Sequence, residues 1–165
     1  MIFVTVGAQM PFDRLITWVD DWASEQGRND IAAQIGPTDF APKTLDVIPF
    51  MDPKEFRKRM GEATGVVAHA GMGTILTALE LGKPILVIPR LGDLNETRND
   101  HQVATAKRLA EDGLILAAYS EAEFAEKMRL LEQKRDGATI AAQASDTLLS
   151  RLREFTLDET WPPQS

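Results

Sequence analysis

Short runs of apolar, β-prone residues alternate with stretches of helical periodicity along this chain, and that alternation restricts the fold more than any other feature. Ile2 to Val6, ended by Gly7, reads as a buried strand, and Pro84 to Pro89 is apolar throughout. Ile31 to Ile35, Leu45 to Phe50, Gly65 to His69 and Leu114 to Ala118 supply further strands. Phe12 to Glu25 sets Phe12, Leu15, Ile16, Val19 and Trp22 on one helical face. Asp52-Pro53-Lys54-Glu55 is a capping box with proline at the first helical position, predicting a helix to about Ala63. Thr74 to Leu81 and Asp100 to Glu111 are further helices, closed by Gly82 and Gly113. Ser120 with Glu123 caps another, to about Lys134, whose Glu121, Glu123, Glu126 and Glu132 form a solvated face. After Asp136-Gly137, a last helix is expected from Ala138 to Phe155. The pattern predicts one α/β domain over residues 1–155, a doubly wound parallel sheet, with 156–165 as an irregular tail.

Such sheets bind ligands beyond the carboxyl ends of their strands. That puts Gly7 to Asp13, His69 to Thr74 and Arg90 to Gln102 along one rim. The sharpest of the three is His69-Ala70-Gly71-Met72-Gly73-Thr74, between a buried strand and a helix. Its glycines let the backbone approach a ligand with N–H groups forward, and the helix N-terminus adds partial positive charge, so a phosphate would sit well there. Thr74 and His69 can add side-chain donors. No Gly-Lys-Ser/Thr follows, so this is not a P-loop, and Gly71-x-Gly73 lacks the third glycine of the dinucleotide fingerprint. A tight turn that needs glycine would look the same in isolation. Gly7 opens a second turn that offers backbone donors beside the first, with Phe12 packing beneath it. Asn95 to Gln102 is dense in hydrogen-bonding side chains, a composition suited to sugar hydroxyls.

Bulk properties exclude several classes. A net charge of -7 gives no counterion-release advantage on phosphate backbones, so nucleic acid is not an expected partner. With no cysteine there are no disulfides or thiolate metal sites, and the two histidines lack metal-ligand spacing. The opening residues lack the basic flank of a signal peptide, and no apolar run approaches the roughly 20 residues of a membrane span. Any membrane role is therefore expected to come through a partner.

Taken in order, His69-Ala70-Gly71-Met72-Gly73-Thr74, Ala78-Leu79-Glu80-x-Gly82-Lys83-Pro84, Ile88-Pro89-Arg90 and Glu96-x-Arg98-Asn99-Asp100-His101-Gln102 resemble the glycosyltransferase family 28 C-terminal domain. Phe3-Val4-Thr5-Val6-Gly7 with Phe12-Asp13-x-Leu15-Ile16 resembles its stand-alone members, and the likeness runs through Gly113. The resemblance implies a Rossmann-like domain equivalent to the C-terminal, donor half of a GT-B enzyme. Stand-alone members are catalytic subunits of two-subunit transferases, whose membrane-anchored partner holds a polyprenyl- or dolichol-linked acceptor. By that resemblance Gly71, Gly73 and Thr74 hold the UDP pyrophosphate with His69 nearby and Met72 among the donor-binding residues, Asp100, His101 and Gln102 face the donor sugar, and Gly7 lines the cleft. The chain departs from the family at Thr77, where relatives commonly carry a glutamate that grips the ribose. Threonine has a shorter reach, and Glu80 lies one helical turn further on.

The expected reaction is inverting transfer from a UDP-sugar, the donor itself being a substrate, with no metal or other cofactor. The general base is expected on the partner, with His101 as the fallback. The wording of Thr77 to Glu80 and Arg98 to Gln102 is closer to bacterial exopolysaccharide enzymes, which implies glucuronosyl transfer, with Arg90 and Arg98 placed to meet the donor carboxylate. The alternatives are a UDP-N-acetylglucosamine transferase subunit, a non-catalytic nucleotide-binding regulatory subunit, or half of a UDP-sugar epimerase. The expected location is the cytoplasm, at the inner membrane face through the partner.

Overall fold

The structure, a computed structural model, describes residues 1–8, 10–48 and 50–139. The expected last helix, with its Leu148, Leu149, Leu152 and Phe155 stripe, and the 156–165 tail with Trp161 lie outside the described residues. The elements run β1 (Ile2–Thr5), α1 (Asp13–Gln26), β2 (Ile31–Gln34), β3 (Asp46–Ile48), α2 (Pro53–Glu62), β4 (Gly65–His69), α3 (Met72–Glu80), β5 (Ile85–Ile88), a 3-10 turn (Gly92–Leu94), α4 (His101–Glu111), β6 (Leu116–Ala117) and α5 (Glu121–Gln133).

All five strand pairings are parallel, in the order β3-β2-β1-β4-β5-β6. That is the strand order of the dinucleotide-binding fold, and its winding reverses between β1 and β4. Both faces of the sheet are covered, as the continuous apolar strands require. Ile2, Val4 and Val6 pack with α1 and α5 residues such as Leu15, Ile16 and Phe124. Phe3, Val66 and Val87 point the other way, onto Met60 of α2, Ile75 of α3 and Leu109 of α4. The period-2 alternation of β1 thus feeds two separate cores.

Local chemistry sets the boundaries. Asp52 Oδ1 accepts from the Lys54 and Glu55 amides (2.9 and 2.8 Å), with Pro53 at the first helical position. Ser120 Oγ accepts from Glu123 N (3.3 Å), and the Glu123 carboxylate reaches back to Tyr119 N (2.7 Å). Two expectations need correction. The third and sixth strands shrink to three and two residues, because among the described residues each pairs with one neighbour only. And α3 opens at Met72, two residues before the expected Thr74: Gly71 takes an extended N-cap conformation (φ -83°, ψ 131°), and Gly73 joins the first turn despite its low helix propensity.

Candidate functional site

The β1 and β4 carboxyl ends meet where the winding reverses, and a cleft of about 420 Å³ opens above them. That volume suits a small-molecule ligand. Its lining includes Gly7, Ala8 and Met10 after β1, His69, Gly71, Met72, Gly73 and Thr74 after β4, and Arg90, Glu96, Thr97 and Gln102 after β5. Seven expected residues therefore share this cleft beside Arg90: Gly7, His69, Gly71, Met72, Gly73, Thr74 and Gln102.

The first turn of α3 supplies the donors. Ile75 is the first amide to bond back, to Gly71 O (3.1 Å), so the N–H groups of Met72, Gly73 and Thr74 have no acceptor within the helix. All three residues line the cleft, at the positive end of the helix dipole. A Cβ on Gly73 would meet nothing within 4 Å, so the approach over that residue is open.

His69 explains two glycines at once. Its ring lies between Gly7 and Gly71. A Cβ on Gly7 would sit 2.9 Å from His69 Cε1, and one on Gly71 would sit 2.9 Å from Cδ2 and closer still to Nε2. Gly7 also holds φ at 78°, which side chains disfavour. Burial, followed by the positive charge of Arg90, lowers the His69 pKa to about 4, so the ring is neutral at pH 7. The Thr5 backbone opposes that shift, yet no hydrogen bond reaches Nδ1, the one buried side-chain polar atom without a partner among the described residues.

Arg90 differs from expectation. It is 5% exposed, and its terminal nitrogens donate to Val6 O (2.7 Å), Met10 O (2.8 Å), Pro11 O (2.7 Å) and Glu96 O (3.1 Å). Its guanidinium also lies 4.7 Å from the buried Phe12 ring centre. All four terminal N–H groups are engaged by backbone, so Arg90 shapes the cleft wall and has no terminal pair left for a bidentate grip on a donor carboxylate. Arg98, Asp100 and His101 are exposed and do not line the cleft. Asp100 instead accepts from Gly92 N (2.8 Å), folding the loop on itself. Gln102 faces the cleft while its Oε1 accepts from Arg90 N (3.1 Å). Thr77 is also outside the lining; its hydroxyl donates to Gly73 O (2.8 Å), and Glu80 pairs with Arg57 (2.8 Å). Neither replaces a ribose-gripping glutamate.

Sequence reasoning passed over Arg14. Its Nε and Nη2 donate to the two carboxylate oxygens of Glu96, each at 2.8 Å, and Nη2 also donates to Pro89 O (2.9 Å). A separation of 82 residues hides that pair from any local motif. Among the described residues no cluster of three or more His, Cys, Asp or Glu could hold a metal ion, and no helix is long and apolar enough to cross a membrane.

A profile of the glycosyltransferase family 28 C-terminal domain matches residues 1–155. The chain belongs to that family. This family 28 domain is 36% identical over 125 residues to the UDP-N-acetylglucosamine transferase subunit ALG13 of Homo sapiens, covering 68% of the chain and 10% of that relative. The subunit of the same name from Cryptococcus neoformans is 36% identical over 69 residues, 41% of the chain and 32% of that relative. The chain thus spans about a tenth of the human relative's length. Among solved structures, that of ALG13 matches with a TM-score of 0.60 at 20% identity, over 92% of the chain and 93% of the other. Acinetobacter baumannii MurG matches with a TM-score of 0.57 at 17% identity, over 92% of the chain and 49% of the other. The fold is the expected Rossmann-like one, equivalent to the C-terminal half of a GT-B glycosyltransferase.

Proposed function

We propose that this family 28 domain is the donor-binding subunit of an inverting UDP-sugar glycosyltransferase, and that its donor is a UDP-N-acetylhexosamine. The observation that carries the proposal is the set of free N–H groups at Met72, Gly73 and Thr74, open over Gly73 and placed where the sheet winding reverses. Three preorganised amides at a helix N-terminus fit a diphosphate leaving group, whose charge grows as the glycosidic bond breaks. The neutral His69 ring can lie against that anion without needing to lose a proton at pH 7.

In this reading the acceptor hydroxyl attacks the anomeric carbon from the face opposite the diphosphate. The bond from that carbon to the diphosphate oxygen breaks, and UDP leaves with the electron pair. The hydroxyl proton passes to a base on a second, membrane-anchored subunit, which holds a lipid-linked saccharide at the cytoplasmic face. No base is assigned on this chain: His101, the fallback, lies outside the cleft lining.

The sugar departs from the glucuronate expectation for two reasons. The relatives are named for UDP-N-acetylglucosamine. And Arg90, the one cation among the described lining residues, already donates to four backbone carbonyls.

A stability screen tests the reading. At a hundredfold excess over Kd a ligand stabilises its protein by about 2.7 kcal/mol. UDP should stabilise the chain where ADP and GDP do not, and UDP-N-acetylglucosamine should exceed UDP-glucuronate. Equal response to all three diphosphates would reject the uridine assignment. Tight UDP binding without transfer in a reconstituted pair would favour a regulatory subunit instead.

A further inference from the structure

We propose that Arg14, Glu96 and Arg90 are positioning residues that lock the loop after β5 onto the first turn of α1 and the loop after β1 before any ligand arrives. The loop from Gly92 to Asp100 contains no buried side chain, so apolar packing does not hold it. Polar contacts do. Glu96 takes both Arg14 donors in a bidentate pair, and its Oε2 also accepts from Leu91 N (2.9 Å). The pair is only 17% and 11% exposed, so water competes weakly for it. The Arg14 guanidinium is fixed from behind by the Trp18 and Phe12 rings, 4.8 and 5.2 Å from their centres. Arg90 adds the tie to the loop after β1, through Met10 O and Pro11 O on one side and Glu96 O on the other.

The placement of Arg14 breaks a local rule. It is the second residue of α1, where a positive charge opposes the helix dipole. Glu96 cancels that cost from 82 residues away. A locally unfavourable residue kept in place by a distant partner on a cleft wall marks a site built for geometry rather than for helix stability. The brace fixes Thr97 and the entry to α4, and so the position of Gln102 opposite the glycine turn of α3.

This inference rests on the donor-site reading, in which the α3 turn meets the diphosphate and the loop after β5 meets the sugar. A loose loop should therefore cost sugar recognition and spare UDP. The test uses the full chain with Glu96→Gln and, separately, Arg14→Lys, which keeps the charge but loses the bidentate fit. Without ligand, amide exchange across residues 91–101 should quicken by about tenfold, the factor one charge-assisted hydrogen bond is worth, while β1 and β4 amides keep wild-type rates. Affinity for UDP-N-acetylglucosamine should fall by about tenfold relative to UDP, whose affinity should hold. Unchanged loop exchange, faster exchange throughout the chain, or equal loss of both ligands would overturn the brace. A wild-type chain that binds neither ligand would overturn the donor-site reading instead, and the exchange rates would still decide whether the brace exists.

Discussion

Gly71→Ala is the sharpest perturbation available in this cleft. At φ -83° and ψ 131° alanine is as comfortable as glycine, so the backbone itself adds no strain. The new Cβ would meet the His69 ring, 2.9 Å from Cδ2 and 3.0 Å from Cε1, and nearer still to Nε2. The ring has little room to retreat, because Gly7 closes the other side. Overpacking of this kind costs about 1–3 kcal/mol, and exchanging glycine for alanine at an N-cap adds up to about 1 kcal/mol. Urea denaturation should therefore register a loss of about 2–3 kcal/mol, and calorimetry a loss of at least about tenfold in UDP affinity as the Met72 to Thr74 amides are displaced. The same substitution in a His69→Ala background should cost only the cap contribution, under about 1 kcal/mol. Equal cost in both backgrounds would show that the ring does not dictate glycine at position 71.

The pH dependence of stability should carry a His69 signature. Its folded pKa of about 4 lies below the ordinary 6.5, so protons favour the unfolded chain, and stability present above pH 6.5 drains away as pH falls toward 4. The loss is at most about 3 kcal/mol, reduced by water in the open cleft, and urea midpoints of His69→Gln should vary less over that range. Arg90→Met strands four backbone carbonyls and should cost about 3–5 kcal/mol by urea denaturation, whereas Arg98→Ala should stay within about 0.5 kcal/mol and leave donor preference unchanged. Asp20 lies away from the cleft, and its carboxylate accepts from the Lys43 and Thr44 amides. Burial pushes its pKa up, but those amides outweigh it and the net shift is downward. Asp20→Ala should cost about 1–3 kcal/mol with UDP affinity intact, as a titration of the variant would show.

The buried half of the fold was legible because its signals are local. Ile2 to Val6, Gly65 to His69 and Ile85 to Ile88 are apolar enough to declare buried parallel strands, and the glycine turn follows the second of these directly. Edges were harder. Phe50, 75% exposed, looked like part of a strand that stops at Ile48. The start of α3 is hidden in the sequence because two glycines suggest a loop, while an extended Gly71 already serves as the cap. Arg90 defeats sequence reading for another reason. A rim arginine can face a ligand or its own backbone, and only the positions of Val6, Met10, Pro11 and Glu96 decide which. The Arg14–Glu96 pair spans 82 residues of sequence and leaves no periodic trace.

A UDP titration followed by backbone amide resonances asks the central question most directly. If the α3 turn receives the diphosphate, Met72, Gly73 and Thr74 should show the largest shifts, with smaller ones at Gly7 and Ala8. Shifts concentrated instead around Lys83 and Lys134, at the cavity that also includes Gly82 and Asp136, would contradict the account.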